Sequence, residues 1–428
     1  MAARPQSSSP GSLDLSGWRN VPNYLILVGG VLAVLGLLIG GPKQFAHSYL
    51  TAFMFCLSLC LGSLFLVLVH HLFDAGWSVP IRRTCENLCV LLFPQMAVFF
   101  LPVAVLAVPS LYSWMRADPH TDHALHAKYP LFTIPGFFGV SALCFAVWAV
   151  LTRGLRSWSL RQDETGAAEC TFKMRRYSFW GIFAFAATLT LAAILWMKSL
   201  EHQWFSTMYG VYYFAGSVWV TLATVYLITM VLVRQGVLRE VLHEHQFYFL
   251  GSLMFAFTVF YAYIHFSQYF IIWNANMPEE TFWYVQRERG TWFWVGMVLI
   301  FGHFFLPFLA MLRIDVKETF AIMTPLCVWA WLMHYFDMAF NVAPLIHPEG
   351  FPVRWMWLDL ACLAFLAGWL IKGWLKNYAS AAPFPIKDPR LIEAMGLHHP
   401  VPTQISGGEL DETEAYPNGA PQPTGGER

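Results

Sequence analysis

The chain has 428 residues, 57% of them hydrophobic and only 12% charged, about half the charged share of a soluble domain, which argues against a soluble enzyme. Lys+Arg and Asp+Glu both number 26, so no net charge draws the chain to nucleic acid. Aromatic residues make up 17%, an excess that suits a protein anchored at two membrane interfaces.

The predicted architecture is an all-α polytopic membrane protein of about ten transmembrane helices. Residues 1–20 are rich in Ser, Pro and Gly and lack the pattern of a signal peptide, so they read as a loose cytoplasmic tail. Apolar segments long enough to span a bilayer core follow at about 22–40, 46–73, 84–108, 129–153, 175–200, 208–234, 246–274, 290–312, 318–338 and 355–378. They divide into a first flanking helix (21–45), a four-helix bundle (46–200), a second four-helix bundle (201–345) and a last flanking helix (346–378). Residues 379–428 turn to Pro, Gly and acids and read as a second cytoplasmic tail, one that cannot repay its ordering entropy unless a partner supplies surface.

With ten spans, nineteen of the 26 Lys and Arg fall on the side of the termini and seven on the other. The positive-inside rule then places both termini in the cytoplasm. The string Trp114-x4-Pro119 beyond the third span recurs as Trp273-x4-Pro278 beyond the seventh. A shift of four spans preserves direction, which suggests a parallel repeat of the two bundles. Gly36 and Gly40 in the first span would let another helix approach closely. The eight cysteines form no CxxC or CxxCH string, so they read as small apolar packing residues, with no covalent haem and no metal site.

Ionisable groups near the bilayer centre cost about 2.5–3.5 kcal/mol each on insertion scales, so each needs a reason. His303 lies near the middle of the eighth span, and His265 sits ~7 Å outward of the middle of the seventh, with Gln268 on the same helix face. His334 and Asp337 share a face of the ninth, with Asn341 one turn on, and Asp359 enters from the outer third of the tenth. These form a candidate outer proton half-path. His70, His71 and Glu86 form a candidate inner one. Glu279, Glu280, Arg287 and Arg289 lie in an outer loop and read as loop structure or partner docking. Histidine can carry protons, ligate haem or bond a quinone carbonyl, and the residues alone do not choose among these.

From Phe255 the sequence reads FAFTVFYAYIHFSQYFIIWNANMPEETFWYVQRERG, then FGHFFLPFLAMLR from Phe301 and HYFDMAFNVAP from His334; SYLTAFMFCLSLCLGSLFLVLVHHL from Ser48 belongs with them. These strings closely resemble the second NrfD-like (PsrC-like) membrane subunit of bacterial alternative complex III. The resemblance covers roughly Tyr49 to Tyr378. It implies two four-helix bundles plus flanking helices in the bacterial inner membrane. It also implies a place in a quinol:electron-acceptor oxidoreductase, beside another NrfD-like subunit, an iron–sulfur protein and multihaem and monohaem cytochromes c, with a terminal oxidase as a further partner. Haem c and iron–sulfur clusters would belong to the partner subunits. This chain would carry no redox centre, contributing assembly surface and a proton path, with contact to quinol (menaquinol) a secondary expectation. A secondary transporter and a b-type haem cytochrome remain alternatives.

Overall fold

A computed structural model of the protein describes residues 20–118, 122–239 and 241–395. The expectations for residues 1–19, for Pro119 and for 396–428 lie outside the described residues. The protein is 83% helical and has no strand among the described residues. Its longer helices are α1 (Val21–Leu72), α2 (Val79–Cys89), α3 (Gln95–Pro102), α4 (Ile134–Thr165), α5 (Ala168–Trp196), α6 (Tyr209–Arg234), α7 (Glu244–Ala275), α8 (Pro278–Arg287), α9 (Trp292–Val298), α10 (Leu306–Met311), α11 (Phe320–Val342) and α12 (Met356–Ala379).

Seven helices are long and apolar enough to cross a membrane, or eight if residues 76–92 and 95–111, bent by 42°, are one span. The difference from ten has physical causes. Straight, the 52 residues of α1 would run about 78 Å, far more than a hydrocarbon core of about 30 Å. They break at Gly41, whose φ of 74° is a left-handed value that Pro42 follows and that glycine adopts without a Cβ penalty. The arm before the break is largely exposed on one side and packs the other against α12. A Cβ on Gly36 would lie 2.1 Å from Leu358 Cδ1, and one on Gly40 would lie 2.9 Å from Trp355. The expected close approach therefore involves both glycines, with Gly29 adding a third contact at Phe365.

The arm after the break is buried almost throughout and packs against α2, α5, α6, α11 and α12. It meets α6 at Gly62, where a Cβ would sit 2.2 Å from Thr221 Oγ1. This central helix carries Ser58 into the interior. All eight cysteines are unpaired and buried.

Two spans are irregular. Beyond α3 the chain forms a π-helical turn at Val103–Ala107, and a second joins α9 to α10 at Leu299–Phe305. Pro307 has no N–H to give the carbonyl of His303, so the ladder widens there. Trp329 Nε1 donates to the carbonyl of Gly302 at 2.8 Å within the widened turn. The turn places His303 inward.

The segment 278–287 is a helix, α8, where the sequence suggested a loop. Pro278 opens it, Glu279 and Glu280 occupy the first turn and Arg287 the last, an order that suits the helix dipole. Residues 380–395 are laid across one end of the molecule, the basic end, where Arg82, Arg83, Arg156 and Arg390 gather. Asp388 is buried against Arg82, Arg390 reaches Asp74, and Gln246 Nε2 donates to Ala394 O. The surface that orders this stretch is the protein's own.

Candidate functional site

Two imidazoles and a carboxylate converge in the interior. One ligating atom each from His303, His334 and Asp337 lies within 4.8 Å of the other two, and all three residues are at most 1% exposed. They come from the π-helical turn and from two positions three apart on α11, so a single helix face and one widened turn build the cluster.

Hydrogen bonds fix the orientation of His334. The Ser58 hydroxyl donates to Phe55 O at 2.6 Å, which leaves its oxygen to accept from His334 Nε2 at 2.8 Å. That assigns the ring proton to Nε2 and a lone pair to Nδ1, which has no partner. Gly216 of α6 lies over this atom: a Cβ there would be 3.6 Å from His334 Nδ1 and 3.5 Å from Asp337 Oδ2. The His303 ring is stacked between Trp219 at 3.9 Å and Tyr261 at 3.7 Å, and neither of its nitrogens has a partner.

Asp337 is held by a tyrosine hydroxyl. Tyr212 donates to its Oδ1, and the Tyr261 hydroxyl lies 3.4 Å from that of Tyr212. Asn341 Nδ2 donates to Asp337 O at 2.8 Å and to the Tyr212 hydroxyl at 2.9 Å, while Tyr209 donates to Asn341 Oδ1 at 3.0 Å. His265 is half-buried beside the rings of Tyr212 and Tyr261, at 5.4 and 5.8 Å. Gln268, one turn on, accepts from Ser206 at 2.7 Å and donates to Tyr284 at 3.0 Å. The polar groups thus form a line from Gln268 through His265 and the two tyrosines to Asp337, His303, His334 and Ser58.

The other sequence candidates go elsewhere. Asp359 accepts from Tyr335 at 2.7 Å between α11 and α12, on a different face of α11 from His334. Near it lies a second polar group that the sequence reading passed over: His347 bonds Gln44 Oε1 at 2.7 Å, and buried His47 packs edge-on to His347. Arg287 is buried, and its bonds to Phe340 O, Asn341 O, Trp283 O and Glu201 lock α8 to the end of α11. Glu279 and Arg289 are exposed and Glu280 half-buried.

The expected grouping of His70, His71 and Glu86 separates. Glu86 is clamped by Arg83 and Arg156, each at 3.0 Å, and by Ser159 at 2.8 Å. It faces α4. His70 and His71 are buried, and among the described residues none of their four ring nitrogens has a partner; they lie on the side of α2 where Arg82 and Arg390 meet Asp388. The rotation of α2, which turns Glu86 toward α4, is not legible in the sequence.

Sequence reasoning also missed Ser58, Tyr212, Tyr261 and Trp219, because aromatic excess was read as interfacial anchoring. The signal was the hydroxyls themselves: Tyr209 and Tyr212 are three apart on α6, and Tyr261 and His265 four apart on α7, spacings that put each pair on one face.

Two imidazoles and a carboxylate are a donor set that a divalent metal accepts, at donor spacings of up to about 4 Å. The same groups also form a hydrogen-bonding array, in which Tyr212 donates to Asp337 Oδ1 and Ser58 accepts from His334. The chain matches no protein-family model and no curated protein.

Proposed function

We propose that the chain is the second NrfD-like membrane subunit of an alternative complex III-type quinol:electron-acceptor oxidoreductase, contributing assembly surface and a proton path. In this reading the break at Gly41, the bent pair at residues 76–111 and the 23-residue α11 supply the spans that bring the count to ten. Both termini lie in the cytoplasm of a bacterial inner membrane. Partner subunits hold the haem c and iron–sulfur clusters, and quinol contact is secondary.

The observation that carries the reading is the buried line from Gln268 to Ser58. Groups that exchange protons are costly in hydrocarbon and are retained where ions or protons must pass. Among the described residues the line holds three imidazole nitrogens without partners, at His303 and His334, beside an acid that accepts from Tyr212. Each can take or give a proton through water or a hydroxyl. Moving one charge through 100 mV takes about 2.3 kcal/mol, which quinol oxidation in the partner subunits would supply. Glu86 has no part in the access route, which narrows at the basic end to His70 and His71.

The broken spans at residues 93–94 and 299–305 favour a second reading, a secondary transporter, since such proteins bind at discontinuous helices. Purification from native membranes separates the two. The redox reading expects haem c and iron–sulfur absorbance in stoichiometric amounts with the chain; a chain that purifies alone and free of both contradicts it.

A further inference from the structure

A groove of about 660 Å³ opens on the exposed outer face of α4 and α5, within the 300–1,000 Å³ typical of ligand clefts. Small residues line its floor, Ala146 on α4 and Ala184 on α5, with Gly181 packed closely on Leu68 and Leu151 behind them. Its two ends differ. Toward the basic end of the molecule stand Trp158, Lys173, Arg176 and Tyr177; toward the membrane interior the walls are aliphatic, through Val147 and Val150. From Val147 to Trp158, and from Lys173 to Ala184, each wall runs about 16 Å at 1.5 Å per residue.

The cations at the mouth are free to take an anion. Lys173 and Arg176 are three apart and share a helix face. Among the described residues Lys173 pairs only with Glu169, at 3.7 Å, and both side chains are well exposed; such a pair contributes little. Arg176 is exposed and makes no ion pair or hydrogen bond among the described residues. The Lys173 ammonium lies 5.8 Å from the Trp158 ring. Beside the groove, along its length away from the cations, Trp180 is 67% and Phe183 65% exposed, so the flank of the channel is apolar. A polar, cationic mouth leading to an apolar channel reproduces the division of a phospholipid into headgroup and chain, and basic pockets between membrane helices recognise anionic headgroups.

We propose that this groove binds one anionic glycerophospholipid, with its phosphate between Lys173 and Arg176 and an acyl chain along the α4–α5 seam. The inference needs only the membrane setting and stands apart from the redox reading. Both cations are at the surface, so their replacement leaves the fold intact.

The test uses the full chain, delipidated in neutral detergent, with thermal shift and native mass spectrometry as readouts. Phosphatidylglycerol is expected to bind saturably at one copy and at least tenfold more tightly than phosphatidylcholine, with no shift from equimolar inorganic phosphate. The double variant Lys173→Gln/Arg176→Gln should lose at least tenfold in phosphatidylglycerol affinity with its lipid-free melting temperature unchanged. Ala146→Phe, which fills the seam and keeps the cations, should lose a similar factor. Equal affinity for the two lipids, an unaltered double variant, or a phosphate shift matching that of the lipid would each overturn the proposal.

Discussion

Replacing Arg287 with alanine is expected to lower stability by about 3–5 kcal/mol, the range for removing one partner of a buried charge pair. The guanidinium is 1% exposed and lies 2.9 Å from Glu201 Oε2. It also donates to three backbone carbonyls, those of Phe340, Asn341 and Trp283, and stacks 3.5 Å over the Trp283 ring. Alanine would leave those carbonyls and a mostly buried carboxylate without their donor. Lysine would keep the charge but not the planar fork, so Arg287→Lys should recover only part of the loss. Thermal unfolding in detergent measures both. Because Asn341 braces Tyr212 and Asp337, loosening the end of α11 should also disturb the interior cluster. A melting temperature unchanged in Arg287→Ala would show that α8 is not held as described.

Asp388→Ala is expected to release residues 380–395 from the basic end. Its carboxylate bonds Arg82 at 2.7 Å and Arg390 at 2.7 Å, and removing it strands a guanidinium that is 1% exposed. That again costs about 3–5 kcal/mol. Burial pushes the Asp388 carboxyl up, but the hydrogen bond from Arg390 and the charges of Arg82 and Arg390 outweigh it and hold the group down at about 2, from 3.8. Because the folded value is the lower one, the stabilisation is fully present above pH 3.8 and is lost as pH falls through 2. The shift corresponds to roughly 2 kcal/mol. Protection of residues 380–395, taken as the hydrogen-exchange rate relative to that of an unfolded chain at the same pH, should therefore be high in the wild type at pH 5 and fall below pH 4, while Asp388→Asn should show low protection at both. Equal protection in wild type and variant would mean that the apolar contacts of this segment hold it without the ion pairs.

These two results bear on what a sequence can disclose. The membrane-crossing helices are legible because a span has to be apolar for its whole length, and composition records that directly. The break at Gly41 is legible as a gap between apolar runs, although it leaves one continuous helix on either side of a single residue. The partners of charged groups are not legible. Arg82 and Asp388 lie 306 positions apart, and nothing local to either predicts the pairing. Several arginines behind the positive-inside asymmetry turn out to be engaged, Arg82, Arg83, Arg156 and Arg390 among them. They still count toward topology, since acidic residues weigh little in that rule.

The interior cluster shows the same division. His303, His334 and Asp337 stand out in sequence as ionisable groups where hydrocarbon is expected, and the fold brings them together. Asp359 stands out equally and goes to a different pocket, beside Tyr335. Tyr212, Tyr261 and Ser58 do not stand out, because hydroxyl-bearing residues are unremarkable in membrane helices until a neighbour supplies an acid or an imidazole. A candidate site read from charges alone therefore names residues that the fold brings together and omits the groups that orient them.

The most direct test of the central claim is the number of protons translocated per electron by the intact complex carrying Asp337→Asn or His303→Ala, with haem content confirming assembly. If the buried line carries protons, both variants move fewer protons per electron than the wild type. If the ratio is unchanged in both, these side chains only brace the interior, and the proton path lies elsewhere.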